Sequence, residues 1–151
     1  TASATGTAMP LPVDLPVAAR EHSAAGAEAF VRFFFAQVNR AWTRPETGLL
    51  PPLCLSTSKG CAALEETAAD LARKRHRYNG DPGTVLAVVA MGSGAPAEIS
   101  VDVRGRQESR SVVDSQGGVI LTDPLKPTHF QIDLRWLADG WRVVETLGVD
   151  G

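Results

Sequence analysis

Over residues 26–42 the apolar positions recur at helical spacing. Ala27, Phe30, Val31, Phe34, Val38, Ala41 and Trp42 share one face. Phe33 and Phe35 widen it, and Glu28, Arg32, Asn39 and Arg40 take the remainder. So broad and bulky a stripe calls for enclosure, and the pattern predicts a long helix gripped by a sheet from the second half. Ser23 is the expected N-cap and Pro45 the stop. A second helix is predicted over residues 60–77, where Cys61, Leu64, Ala68, Leu71 and Arg75 keep the helical period. Glu65 and Glu66 fall early and Arg73, Lys74 and Arg75 late, as the helix dipole favours. The basic run KRHR at its end reads as a solvated helix terminus rather than a phosphate site.

From Tyr78 the period changes. Residues 84–91 form a continuously apolar strand, and Ile99, Val101 and Val103 alternate with polar residues in a second. Arg104-Gly105-Arg106 reads as a turn into a strand over 108–114, and Ser115-Gln116-Gly117-Gly118 as a turn into one over 119–122. Residues 129–137 alternate strictly, with Phe130, Ile132, Leu134 and Trp136 on one face. Asp139-Gly140 is then a two-residue hairpin turn, and 141–149 returns. Pairing Ala138 with Trp141 sets Val143 opposite Trp136, Glu145 opposite Leu134 and Leu147 opposite Ile132. Trp141, Val143, Leu147 and Val149 then share an apolar face in which Glu145 is the one charge. Two helices followed by antiparallel strands give an α+β class, with a curved antiparallel sheet wrapping the long helix. Residues 1–21, rich in Thr, Ala and Pro, read as a flexible tether, and 22–151 as a single domain.

The chain has 151 residues, enough for one domain with a sizeable core. Fifteen basic against 17 acidic side chains leave a net charge of -2, which gives no footprint for nucleic acid and no polybasic membrane patch. Thr1 in place of Met reads as a trimmed or recombinant mature form. Cys54 and Cys61 lie in a Pro/Ser/Thr-rich loop. In an exported protein they read as a local disulfide, stabilising by roughly 2.5 kcal/mol on the chain-entropy view. The alternative is a pair of free thiols.

The order of parts, with AEAFVRFFFAQVNRAW, the Cys54/Cys61 pair and the final LRWLADGWRVVE, resembles the nuclear-transport-factor-2-like, or cystatin-like, cone. More narrowly it resembles a family of small actinobacterial cell-surface lipoproteins of unknown function, over residues 26–149. That resemblance implies export, an oxidised cysteine pair, and membrane attachment only through a lipid anchor on the tether, on a cysteine this chain does not contain. It supplies no catalytic residues.

Candidate chemistry is sparse. His22, His76 and His129 lack ligand spacing, so no metal site is expected. No Gly-rich phosphate loop or nucleophile elbow is present, and no cofactor is implied. What remains is a cavity between helix and sheet. Its expected lining is Phe30, Phe34, Gln37, Trp136, Trp141 and Glu145. Glu145 is the weak catalytic candidate, because a carboxylate facing aromatic rings would have a raised pKa. At the sheet margin it would instead be structural. The leading expectation is a non-catalytic extracellular domain binding a small apolar ligand or a cell-envelope protein. One alternative is a cone-fold enzyme of the ketosteroid-isomerase or polyketide-cyclase type using Glu145, and the other is a structural homodimer through the sheet.

Overall fold

The structure, a computed structural model, describes residues 8–149. The first helix, α1 (Ala24–Thr43), starts at Ser23, whose hydroxyl accepts from the Gly26 N–H at 3.0 Å. That bond satisfies one donor which a helix start leaves unpaired. Ala27, Phe30, Val31, Phe34, Val38 and Ala41 are buried, with Phe33, Phe35 and Trp42 half-buried at the margins, as the stripe predicts.

The second helix, α2 (Lys59–Lys74), starts at Ser58, whose hydroxyl accepts from the Cys61 N–H. It ends earlier than its pattern suggests. Arg75 turns left-handed at φ 58°, and the Arg75 and His76 N–H groups fold back onto the Ala72 and Leu71 carbonyls. This closes the last turn and sends Arg77 and Tyr78 into a short strand.

The strands are β1 (Arg77–Tyr78), β2 (Gly83–Met91), β3 (Glu98–Gln107), β4 (Ser111–Val113), β5 (Val119–Thr122), β6 (Lys126–Leu137) and β7 (Gly140–Gly148). They form two antiparallel sheets, ordered β2-β3-β6-β7 and β1-β4-β5. Val88, Val101, Val103, Ile132, Leu134 and Val143 of the larger sheet pack on Phe30 and Phe34 of α1 in one core. The phenylalanine-rich helix is thus enclosed by strands of the second half.

Three expectations need correction. Arg104-Gly105-Arg106 is not a turn, because β3 runs through it to Gln107. A Cβ at Gly105 would lie 2.3 Å from the Thr84 carbonyl oxygen, beside a bulge in β2 between Val85 and Ala87. This glycine serves close backbone approach rather than chain reversal.

The last hairpin has a different register. Leu137 pairs with Gly140, Trp136 with Trp141 and Leu134 with Val143, so Ala138 and Asp139 form the turn. A bulge then leaves Val144 unpaired, and the following residues shift phase. Glu145 faces Asp133, Thr146 faces Ile132 and Leu147 faces Gln131. One inserted residue exchanges the two faces of a strand, so Leu147 and Val149 are exposed rather than in the core.

The described part of the expected tether is packed. Leu15 and Ala19 are buried, and Val17–Arg20 form a 3-10 turn. The buried Arg142 guanidinium donates to the Met9 carbonyl at 2.8 Å and to Asp139 at 3.0 Å. The compact unit therefore begins before residue 22. Residues 1–7, the rest of the expected tether, lie outside the described residues, as do 150–151.

Cys54 and Cys61 are bonded, with Cα atoms 6.5 Å apart. Cys54 bridges to Val143, and the Leu55 N–H donates to the Val143 carbonyl at 2.9 Å. The loop thereby covers the outer edge of β7 and fastens it to α2. Among the described residues no helix is long and apolar enough to cross a membrane.

Candidate functional site

The helix α1 begins at the β6–β7 hairpin. There His22 stacks on Trp136 with centroids 4.1 Å apart, and Trp141 meets both rings edge-on. The His22 Nε2 lies 2.6 Å from the Pro96 carbonyl, and the Trp141 indole donates to the Glu21 carbonyl at 3.0 Å. Phe30, Phe34 and Trp141 are wholly buried, and Gln37 is nearly so. The sequence placed these residues and Trp136 around a cavity. The structure packs Trp136 and Trp141 together at this end and buries Phe30, Phe34 and Gln37 along the length of α1.

Glu145 stands elsewhere. Its carboxylate accepts from the Gly60 N–H at 2.7 Å, the Lys59 N–H at 3.1 Å and the Thr146 N–H at 3.0 Å. The Ser58 hydroxyl donates to it at 3.3 Å. Burial pushes its pKa up, but the bonds from Gly60, Thr146, Lys59 and Ser58 outweigh it, and the net shift is below the ordinary value. The expected rise does not occur. With four donors on its oxygens, Glu145 is an anion closing the start of α2, where the helix dipole favours negative charge. It occupies the sheet margin, the structural one of its two expected places.

An open cleft lies at the other end of α1. A cleft of about 320 Å³ opens between the last turns of α1 and the strands β2, β3 and β6. Phe35, Val38, Trp42, Val85, Val103 and Phe130 give it an apolar lining. Phe35 and Phe130 pack with centroids 5.9 Å apart. None of the six expected lining residues borders this cleft.

Its polar wall comes from separate elements. Tyr78 of β1 stacks on Trp42 at 5.7 Å, and its hydroxyl donates to Asp123 Oδ2 at 2.7 Å. Burial, then the hydrogen bond and charge of Asp123, push the Tyr78 pKa well above its usual value, so the phenol stays protonated. Asn39 clasps Gly83, donating to its carbonyl at 3.0 Å and accepting from its N–H at 3.2 Å. At the rim Arg106 pairs with Glu108 at 2.7 Å, and Gln107 donates to the Pro124 carbonyl at 2.7 Å.

The sequence pattern flagged Trp42 only as the end of a stripe and Tyr78 only as the start of the strand region. The one local signal was that Tyr78 is the chain's single tyrosine. Tyr78 and Asp123 are 45 positions apart and meet only through the smaller sheet. Among the described residues no group of three His, Cys, Asp or Glu side chains could hold a metal ion.

No protein-family model matches this chain, and no curated protein matches it in sequence. Solved structures do. The chain is similar to the intermembrane-space region of the chloroplast protein ARC6, with a TM-score of 0.62 at 18% identity over 85% of this chain and 97% of that one. It is similar to Aln2 from a Streptomyces species, with a TM-score of 0.53 at 14% identity over 91% of this chain and 92% of that one. It is also similar to a Nostoc punctiforme protein of unknown function with a cystatin-like fold, with a TM-score of 0.50 at 10% identity over 93% of each. At these identities the likeness establishes the fold, an α+β cone of the cystatin-like kind, and nothing about activity.

Proposed function

We propose that this domain is a non-catalytic binding module of an oxidising, extracytoplasmic compartment, and that the cleft at the open end of the cone holds a small apolar ligand. The observation that carries this reading is the cleft itself. It is a concave space lined by aromatic and aliphatic side chains with few polar groups, within the size range of small-molecule sites. The Cys54–Cys61 bond supports the compartment, since such bonds persist where thiols are not kept reduced. The narrower reading, a lipid-anchored cell-surface protein, rests on the family resemblance and is tested by metabolic labelling of the full-length protein with a radioactive fatty acid. The isomerase or cyclase alternative loses its base, because the Glu145 oxygens are taken up by α2.

Titration with 1-octanol, followed by the methyl resonances of Val38, Val85 and Val103, tests the site. These methyls shift together and saturably if the cleft is occupied. A Thr128→Trp substitution, at the half-buried rim opposite Gly105, fills the opening and abolishes the shifts while the circular dichroism stays unchanged. Methyls left unmoved in the unsubstituted protein by octanol and by its amine and carboxylate counterparts overturn the reading.

A further inference from the structure

The polar groups bordering the cleft differ in what they have left to offer. Asn39 has its oxygen and one N–H engaged with Gly83. Gln107 donates to Pro124, and the Arg106 charge is matched by Glu108. Tyr78, buried beside Trp42, aims its hydroxyl proton at Asp123 and stays protonated. Asp123 is half-buried, and its Oδ2 accepts from Tyr78. Among the described residues it belongs to no ion pair. Its Oδ1 accepts from no side chain or backbone N–H of those residues.

Next to an apolar slot there is thus one carboxylate with an open oxygen and no cation of its own. Tyr78 fixes its orientation by holding the other oxygen. A ligand whose apolar body fills the slot meets a negative acceptor at this wall. A carboxylate-headed ligand would meet repulsion there, whereas an ammonium head would gain a charge-assisted hydrogen bond.

We propose that the cleft selects apolar ligands carrying a positively charged amine, with Asp123 as the acceptor of that amine, Tyr78 as its positioning residue and the Trp42–Phe130 lining holding the apolar body. This deepens the binding reading above and rests on it. The volume corresponds to roughly ten liquid waters, or about as many heavy atoms, which suits a short alkyl or single-ring amine.

The test compares octylamine, octanol and octanoate on the folded protein, read by the same methyl resonances and by calorimetry at neutral pH. Octylamine is expected to bind at least tenfold more tightly than octanoate. Asp123→Asn is expected to remove at least tenfold of the octylamine affinity and to leave octanol within about threefold, while Tyr78→Phe weakens octylamine by less. Thermal unfolding of both variants checks the fold. Where Asp123→Asn is unstable, the octylamine-to-octanoate ratio of the unsubstituted protein decides. If none of the three ligands binds, the binding reading itself fails. If octanol binds but octanoate equals or exceeds octylamine, or Asp123→Asn leaves octylamine unchanged, the amine assignment fails and the binding reading stands.

Discussion

The Glu145 carboxylate accepts from the first backbone N–H groups of α2, so folding favours its anionic form. Its contribution to stability follows from the direction of the shift. With a folded pKa below the unfolded value of about 4.3, the contribution is fully present above that pH and is lost as pH falls through the folded value. Glu145→Gln should lower stability by about 1 kcal/mol at neutral pH, the usual worth of a helix cap. The gap between the two proteins should narrow once pH falls below about 4 and close below the folded value, since protonated Glu and Gln are then equivalent. Urea unfolding at pH 7 and pH 3 measures both numbers, and a gap that persists at low pH would mean the residue acts through packing. Glycine at 105 carries the opposite lesson about local reading. Flanked by two arginines it has the look of a turn, yet its role is to let β2 and β3 approach. A turn glycine and a close-contact glycine have the same sequence signature, because the difference lies in the neighbouring strand.

Among the elements, α1 was the most legible. Its face, its N-cap and its enclosure follow from an apolar period that survives packing intact. The strand β7 was the least, since its alternation is broken by the bulge at Val144 and a period of two cannot register an extra residue. The segment between these outcomes is the Cys54 loop, which lies along β7 and is bonded to α2. Breaking the bond frees that loop in the unfolded chain and loosens three elements in the folded one. A Cys54→Ser, Cys61→Ser double substitution should cost about 2–3 kcal/mol and lower the melting temperature by roughly 5–10 °C for a domain of this size. Differential scanning calorimetry with and without dithiothreitol provides the check. No drop in the substituted protein would show that the loop is held by Leu50 and Leu53, both fully buried, without the bond.

At the scale of the whole molecule, the cone is filled at one end and open at the other, and the N-terminal segment packs against the filled end. Leu15 lies in the main core, and Leu11 reaches the hairpin turn at Gly140. If this packing is part of the fold, Leu15→Ala should cost about 2–4 kcal/mol in urea unfolding. A mobile tether would tolerate it within about 0.5 kcal/mol, as surface sites do. The composition of this segment pointed to a tether because Pro-rich stretches make no regular element, and packing without regular structure leaves no period to read. What the sequence alone determined is therefore the part fixed by repeats and caps: the buried helix stripe, the antiparallel strands, the α+β class and the enclosure of one by the other. The tertiary structure decided which end stays hollow, that Glu145 closes a helix instead of facing a ligand, and that Tyr78 and Asp123 stand together beside an apolar slot. Those outcomes depend on strand register and on contacts between residues far apart in the chain, and a local period carries no information about either.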